Sequence, residues 1–316
     1  MTANNWRLTP INVTLQHIRD AAARIAPYIH RTPVLTCATL DHMVGAHLFF
    51  KCENLQKVGA FKMRGATNAI AQLDPAVAKR GVATHSSGNH GAALALAARL
   101  MGIKAHVVMP DNASAIKKQA VAGYGAEITF CEPTIASRDE YLAAVVQRTG
   151  ASIIHPYNDD RIIAGQGTAG LELLEEIQNL DLLLSPVGGG GLISGCAIAA
   201  KSLNAKIRVI GVEPEGADDA RRSLRAGALV PPMSPASIAD GLLAPLGDKT
   251  FAIIRRHVDD IVTVSDTAIT KAMRTVWERM KIIIEPSAAV TLAAILEGKV
   301  RITGQRCGVI LSGGNV

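Results

Sequence analysis

The feature that most constrains the fold is the regular alternation of short apolar runs with longer segments of helical periodicity. Runs rich in Val, Ile and Leu predict strands at residues 47–53, 82–85, 105–109, 127–131, 152–155, 182–187, 208–212, 260–264 and 308–311. Helical patterns lie between them, at residues 89–101, 114–124, 138–148, 168–177, 192–203, 267–280 and 287–296. Strands that alternate with helices form parallel sheets through right-handed crossovers. The sequence therefore predicts an α/β protein with mainly parallel sheets.

Length and composition support this prediction. A chain of 316 residues exceeds what one hydrophobic core usually serves, so two closely packed domains are expected. Hydrophobic residues make up 48% of the chain and charged residues 19%, a balance that excludes a disordered protein. Aromatic residues are only 3%, so the core must consist of Ala, Val, Ile and Leu. That mixture suits parallel sheets covered by helices.

The basic excess of the chain does not indicate a nucleic-acid partner. The formal net charge is +6, but the basic residues are scattered and aromatic residues for base stacking are scarce. The excess is either a solvated surface or a field that favours anionic small molecules. We therefore expect a small-molecule ligand and no nucleic acid.

The cysteines and the apolar stretches indicate the cellular compartment in which the protein is expected. There are five cysteines and no CxxC motif, so neither a disulfide framework nor a zinc site is predicted. The first ten residues lack the basic-then-apolar order of a signal peptide. Residues 182–200 carry no charge, but Pro186 and five glycines exclude a continuous membrane-spanning helix there. We expect a cytoplasmic protein with no membrane partner.

A lysine stands between two apolar residues just after the first predicted strand. Residues 57–65 read KVGAFKMRG, with Lys62 flanked by Phe61 and Met63. Most lysines are surface charges, and this one is open to the same interpretation. Partial burial would instead lower its pKa and make the neutral amine a nucleophile and a base.

Two glycine- and serine-rich turns follow predicted strands. Residues 86–91 read SSGNHG, and their hydroxyls, amide and free backbone N–H groups suit a carboxylate, although a plain N-capped turn has the same composition. Residues 188–191 are four consecutive glycines at the start of a predicted helix, which suits a phosphate. The chain lacks GxxxxGK[ST] and GxGxxG, so a small phosphorylated cofactor fits this turn better than ATP or NAD.

Two further segments end predicted strands. Residues 312–314 read SGG, which by itself is typical of an ordinary turn. Residues 213–219 read EPEGADD, and carboxylates at this density suit a hard cation such as Mg²⁺ or Ca²⁺. A solvated, capped turn explains the same spacing equally well.

Together these segments resemble the fold type II (tryptophan synthase β-like) pyridoxal-phosphate enzymes, and within that group the serine racemases, serine and threonine dehydratases and hydroxyaspartate dehydratases. The resemblance runs from RTPVL at residues 31–35 through FFKCE at 49–53 to LSGGNV at 311–316. It implies two three-layer α/β/α domains with the cofactor in the cleft between them. The large domain would comprise residues 1–77 and 158–316, and a small mobile domain residues 78–157. It also implies a homodimer.

The resemblance implies a cofactor, pyridoxal 5'-phosphate, held by the motifs described above. Lys62 would carry it covalently, Asn89 would contact its phenolic oxygen, and Ser312 would face its pyridine nitrogen. Phe61 would pack beside the ring. The phosphate would be bound by Gly188, Gly189, Gly190 and Gly191.

The resemblance also implies substrate and metal contacts. The residues expected to receive the substrate carboxylate are Ser86, Asn89 and His90. Arg138 would be either a second contact to that carboxylate or the partner of a second carboxylate. In the racemase branch, the residues matching Glu213, the Ala217 carbonyl and Asp219 hold a divalent cation. We therefore expect Mg²⁺, or Ca²⁺ or Mn²⁺, at that position.

The implied activity is that of an ammonia-lyase (dehydratase), which converts serine, threonine or 3-hydroxyaspartate to a keto acid and ammonia. Lys62 would remove the Cα proton. A neutral Ser312 hydroxyl does not stabilise a protonated pyridine nitrogen, which makes the ring a weaker electron sink and favours elimination over transamination.

An amino-acid racemase is the alternative activity. In racemases a serine at the position of Ser87 serves the face of the substrate opposite the lysine, and simple threonine dehydratases have alanine there. Tyr157 and the pair Ala244-Pro245 depart from the serine racemase pattern and resemble hydroxyaspartate dehydratases more. A non-catalytic binding protein that retains the fold is the alternative of a different class, and Lys62 argues against it.

Overall fold

A computed structural model describes residues 10–231 and 233–316 of the chain. Its strands, in chain order, are β1 (Val34–Leu35), β2 (His47–Cys52), β3 (Val82–His85), β4 (Ala105–Pro110), β5 (Glu127–Cys131), β6 (Ser152–Ile153), β7 (Leu182–Pro186), β8 (Arg208–Pro214), β9 (Asp260–Val264) and β10 (Arg306–Leu311). Its helices are α1 (Leu15–Ile25), α2 (Ala38–Val44), α3 (Lys62–Ile70), α4 (Pro75–Ala78), α5 (Asn89–Leu100), α6 (Ala115–Gly123), α7 (Ile135–Thr149), α8 (Asp160–Glu176), α9 (Gly191–Leu203), α10 (Asp219–Ala226), α11 (Asp248–His257), α12 (Asp266–Met280) and α13 (Pro286–Leu296). None of these helices is long and apolar enough to cross a membrane.

The larger sheet has six strands in the order β1-β2-β10-β7-β8-β9. Its strands are parallel except for β1, which pairs antiparallel with β2. Helices α12 and α13 pack on one face of this sheet, and α8, α9 and α11 pack on the other. Side chains on both faces of the strands contact helices, so both faces must be apolar. This explains why the strands are near-continuous apolar runs in the sequence, as expected for a buried parallel sheet.

The smaller sheet has four parallel strands in the order β5-β4-β3-β6. Helix α7 covers one face, while α5, α6 and part of α3 cover the other. Two three-layer α/β/α units with mainly parallel sheets therefore confirm the predicted fold class. The smaller sheet lies within residues 78–157, but the predicted domain division and the mobility of the small domain stay predictions.

Helix α8 departs from the sequence prediction, which placed a helix only at residues 168–177. The helix begins at Asp160, and its first half contains Gly165 and Gly167. A methyl group on Gly165 would lie 2.7 Å from the Gly65 Cα of α3, and one on Gly167 would lie 2.9 Å from the Gly195 carbonyl oxygen of α9. Close packing between helices therefore outweighs the low helix propensity of glycine. The two-residue strand β1 was also missed, because so short a strand has no alternating pattern.

A network of buried charges joins strand β2 to helices α3 and α8. Arg64 is fully buried, and its guanidinium donates to Glu53 at 2.7 Å and to Glu172 at 2.8 Å. Lys51, also fully buried, donates to Glu172 at 2.6 Å. Two cations thus face two carboxylates, and the Thr32 hydroxyl donates to Glu53 at 2.5 Å. Buried charges of this kind need all of their partners, because the loss of one leaves another uncompensated.

We predict that Arg64→Met lowers the free energy of unfolding by about 3–5 kcal/mol, because it leaves Glu53 and Glu172 buried with a single cation. Urea denaturation followed by circular dichroism measures the change. The control is Arg274→Met, which removes an exposed ion pair to Glu278 on α12 and should leave the midpoint unchanged. Equal effects of the two substitutions would contradict the prediction.

Candidate active site

A cleft of about 630 Å³ lies between the two sheets, at the carboxyl ends of their parallel strands. In open α/β sheets this edge is where ligands bind. The cleft brings together every residue that the sequence assigned to a cofactor or a substrate: Phe61, Lys62, Ser86, Ser87, Asn89, His90, Arg138, Gly188, Gly189, Gly190, Gly191 and Ser312. Glu213, Ala217 and Asp219 do not line it and lie behind its wall.

Lys62 is the first residue of helix α3 and is held next to the end of strand β10. Ala60 forms an antiparallel bridge with Gly313, and the Phe61 N–H donates to the Ser312 carbonyl at 3.0 Å. The Lys62 ammonium donates to the Pro156 carbonyl at 2.9 Å. Burial lowers the pKa of Lys62 to about 8, although the charge of Glu285 opposes the shift. A substantial neutral fraction makes this amine a usable nucleophile and base.

The four glycines connect strand β7 to helix α9. Gly190 has a φ of +87°, a conformation that favours glycine. A side chain on Gly189 would overlap the ring of Tyr157, so this position admits only hydrogen. The Thr250 hydroxyl donates to the Gly189 carbonyl at 2.8 Å. This bond gives the Gly189 carbonyl oxygen a partner within the protein. The first N–H groups of α9, in contrast, have no acceptor within the helix. The turn therefore fits a phosphate.

The turn after strand β3 presents donors to the same cleft. The Ser86 hydroxyl oxygen accepts from the N–H groups of Gly88 at 3.2 Å and Gly91 at 3.0 Å. Its own hydrogen points to the Gly88 carbonyl at 3.5 Å, the long limit of a hydrogen bond, so a ligand carboxylate at shorter range would compete for it. The side chain of Ser87 is exposed in the cleft. Helix α5 begins at Asn89, so the N–H groups of Asn89 and His90 have no intrahelical acceptor. This arrangement suits a carboxylate.

The imidazole of His90 does not face this turn as a donor. It is 3% exposed, and its Nε2 lies 3.3 Å from the Ile154 carbonyl. A carbonyl only accepts, so Nε2 carries the hydrogen. Burial, reinforced by the Lys62 charge, holds the pKa of His90 well below its usual range, and Nδ1 is a bare lone pair. Only the backbone N–H of His90 can therefore bind a substrate carboxylate.

The wall of the cleft opposite the larger sheet carries cationic and neutral donors. Arg138 lies in the first part of α7, and its Nε is buried without a hydrogen-bond partner among the described residues. The His155 Nδ1 accepts from the Asn158 N–H at 2.9 Å, and burial lowers the pKa of His155 to about 4. The neutral ring therefore carries its hydrogen on Nε2. His85 lies 3.7 Å from the Asp139 carboxylate.

Two groups of cleft residues were not predicted from the sequence. The buried Glu285 carboxylate accepts from the Asn89 amide at 2.9 and 3.0 Å, and burial raises its pKa to about 7. Lys117, on α6, forms an ion pair with Asp240 across the cleft. Glu285 precedes Pro286 and has the sequence pattern of an ordinary helix start. No local signal distinguishes it, because its partner Asn89 is remote in sequence.

The predicted metal ligands lie beside the glycine turn. Glu213 is the next-to-last residue of strand β8 and is 1% exposed. Its two carboxylate oxygens accept from the N–H groups of Ala220 at 3.0 Å and Arg221 at 2.8 Å. Burial, together with the nearby Asp219 charge, raises the pKa of Glu213 to about 8. Among the described residues, no cluster of three or more His, Cys, Asp or Glu side chains could hold a metal. Glu213 and Asp219 are nevertheless two buried carboxylates whose pKa values burial raises, and carboxylate oxygens are the ligands that a divalent cation would take. The metal site stays a prediction.

Comparison with known proteins agrees with this geometry. The family model "Pyridoxal-phosphate dependent enzyme" matches residues 25–313. The chain is 51% identical to the serine racemase of Dictyostelium discoideum over 308 residues, which cover 96% of this chain and 95% of that protein. It is 50% identical to the beta-hydroxyaspartate dehydratase of Paracoccus denitrificans over 303 residues, with 96% of each chain covered.

Among solved structures, that of maize serine racemase matches with a TM-score of 0.94 and 50% identity, over 96% of this chain and 94% of that one. The sequence, the fold and the contents of the cleft thus agree, and the resemblance is confirmed. The chain belongs to the pyridoxal-phosphate dependent enzyme family.

Proposed function

We propose that this enzyme is an ammonia-lyase that eliminates water and ammonia from a β-hydroxy-α-amino acid, namely serine, threonine or 3-hydroxyaspartate. The observation that carries the proposal is the joint position of the Lys62 amine, the glycine turn and the carboxylate-binding turn in one cleft. The relatives named above include a dehydratase of hydroxyaspartate, which supports an elimination. Racemisation is the alternative, supported by the two serine racemases.

The residues of the cleft divide the work of binding the cofactor. Lys62 would hold it covalently, the N–H groups of Gly188 to Gly191 would bind its phosphate, and Ser312 would face its pyridine nitrogen. Phe61 would pack beside the ring, and Asn89 would donate to the phenolic oxygen. When bound, pyridoxal 5'-phosphate supplies an electron sink for the negative charge that develops at the substrate Cα.

The protein's own groups then orient the substrate and move protons. The N–H groups at the start of α5 and the Ser86 hydroxyl hold the substrate carboxylate. Once the substrate amine has replaced Lys62 on the cofactor, the freed Lys62 Nζ, whose pKa is lowered by burial, would accept the Cα proton. In the racemase alternative, the Ser87 hydroxyl returns a proton to the opposite face of Cα. The ion pair between Lys117 and Asp240 narrows the cleft and helps to exclude water.

Residues 78–157 form the smaller domain in this proposal, and residues 1–77 and 158–316 the larger one. Movement of the smaller domain would open the cleft, because Lys117 and Asp240 belong to different domains. The metal, Mg²⁺ or another divalent cation, would be held by Glu213, the Ala217 carbonyl and Asp219. It would neutralise the two carboxylates and support the glycine turn, since Asp219 accepts from the Leu246 N–H and Leu246 lies against Gly190.

The compartment and the assembly are also proposals. All five cysteines are unpaired in the structure, which fits a reducing cytoplasm. Large apolar side chains remain exposed, among them Trp277 at 67% and Ile283 at 58%. A homodimer, the assembly that the resemblance implies, would cover such residues if they lay in its interface. The partner in catalysis is a small amino acid.

Keto-acid formation tests the proposed activity directly. Purified holoenzyme is incubated with serine, threonine and the stereoisomers of 3-hydroxyaspartate, and keto acid and ammonia are measured. The proposal expects both products in equal amounts from at least one substrate. Recovery of inverted substrate that carries deuterium at Cα after reaction in deuterated water, without keto acid, would instead establish the racemase alternative.

We predict that Arg138 distinguishes the substrates. A charge-assisted hydrogen bond to the second carboxylate of 3-hydroxyaspartate contributes about 1.5–3 kcal/mol, so Arg138→Met should lower kcat/KM for that substrate by about 10–100-fold. The value for serine, which has no second carboxylate, should change little. The control is Arg148→Met, on the exposed end of the same helix. Equal losses for both substrates would place Arg138 on the shared carboxylate instead.

We also predict that Gly189→Ala weakens cofactor binding. Its methyl group would overlap the Tyr157 ring, and overpacking of this kind costs about 1–3 kcal/mol, which corresponds to an increase of about 5- to 150-fold in the dissociation constant of pyridoxal 5'-phosphate. Adding Tyr157→Ala makes room and should restore most of the affinity. Gly123→Ala, on α6 with no atom within 4 Å, is the matched control. An unchanged affinity in Gly189→Ala would argue against the phosphate site.

A further inference from the structure

The amide of Asn89 is held by two side chains of the larger unit. Its Nδ2 donates to both carboxylate oxygens of Glu285, at 2.9 and 3.0 Å. Its Oδ1 accepts from the Nδ2 of Asn315 at 2.9 Å. Asn89 begins helix α5 of the smaller unit, whereas Glu285 precedes α13 and Asn315 follows β10. The three side chains therefore form a bridge between the units, here called the amide bridge.

The orientation of both amides in the bridge follows from one carbonyl. Asn315 Nδ2 also donates to the Val58 carbonyl at 2.8 Å, and a carbonyl can only accept. The group of Asn315 that faces Asn89 is therefore its NH₂. The group of Asn89 that accepts from it must be the amide oxygen. That leaves the Asn89 NH₂ facing Glu285, whose carboxylate accepts. A flip of Asn89 would set two donors against each other and its oxygen against a carboxylate.

The Val58 carbonyl is itself fixed by an unusual backbone. Val58 has a φ of +58°, which is a genuine outlier for a β-branched residue, and Gly59 follows with a φ of +67°. A side chain on Gly59 would overlap the amide of Asn315. Strained residues persist only where their surroundings determine them. Here the surroundings include Asn315 of the amide bridge, which contacts both Val58 and Gly59. The second of these residues lies three positions before Lys62.

We propose that Glu285 and Asn315 are positioning residues that fix the Asn89 amide with one N–H directed at the phenolic oxygen of the cofactor. The inference rests on the proposed contact between Asn89 and that oxygen. The two near-equal distances to the Glu285 oxygens fit one N–H shared between them, which leaves the second N–H of Nδ2 for the cofactor. With Oδ1 occupied by Asn315, this N–H is the group that faces the cofactor, and an N–H is what a phenolate oxygen accepts. Glu285, on the far side of the same nitrogen, polarises that N–H.

The bridge also links cofactor orientation to the width of the cleft. Asn89 moves with α5, while both of its partners belong to the larger unit. The bonds at 2.9 and 3.0 Å exist only when the cleft has this width. Opening of the cleft therefore releases the Asn89 amide from its fixed orientation at the same time as it admits solvent.

Two isosteric substitutions test the proposal in the holoenzyme. Glu285→Gln removes the charge behind Nδ2, and Asn315→Asp replaces the donor that faces Asn89 with an acceptor. Each should shift the visible absorption band of the bound cofactor and lower kcat by about tenfold, the effect of one charge-assisted hydrogen bond. The controls Glu297→Gln and Asn204→Asp make the same chemical changes on exposed residues and should alter neither quantity.

A double-mutant cycle with Asn89→Ala shows whether the effect passes through Asn89. If it does, adding Glu285→Gln or Asn315→Asp to Asn89→Ala should change the band no further and kcat by less than about twofold. Additive losses, or single variants with an unchanged band, would overturn the proposal. An unchanged band in Asn89→Ala itself would overturn the contact on which the inference rests. A wild-type protein that forms no visible band with pyridoxal 5'-phosphate would contradict the proposed function as well.

Discussion

The first turn of helix α3, which carries Lys62, is held in place from both sides. The function of the other groups in the cleft depends on where this turn places the Lys62 amine. On one side, Ala60 and Phe61 bond to the backbone of Ser312 and Gly313, which continue strand β10. On the other, Arg64 is locked into the buried charges of β2 and α8. Lys62 lies between these two anchors. The backbone of Lys62 is therefore fixed, although its side chain is long and flexible.

The parallel sheets convert separate motifs into one site. Strands β3, β7 and β10 each end in a turn of small polar residues or glycines, and parallel strands bring their carboxyl ends to the same edge of the two sheets. The glycine turn supplies backbone donors for an anion. The turn after β3 supplies a second anion site. The Lys62 amine, whose pKa is lowered by burial, lies in the cleft with both groups of donors, and each group suits a negatively charged ligand.

Much of this could be predicted from the sequence, because strand ends and glycine turns have local signatures. The predicted residues 86–90, 188–191 and 312 all line the cleft. Contacts between remote residues have no such signature. Glu285 meets Asn89 across 196 positions, and the hydrogen on His90 Nε2 depends on the carbonyl of Ile154. The glycines of α8 favour a loop when considered alone, and only the proximity of α3 and α9 explains them.

The proposed activity requires a covalent link between Lys62 and the cofactor, and mass spectrometry measures that link directly. The holoenzyme is reduced with borohydride and digested, and its peptides are sequenced. We predict a single pyridoxyl group on the ε-nitrogen of Lys62, and its loss in Lys62→Ala. A pyridoxyl group on another lysine, or no adduct in a protein that has bound the cofactor, would contradict it.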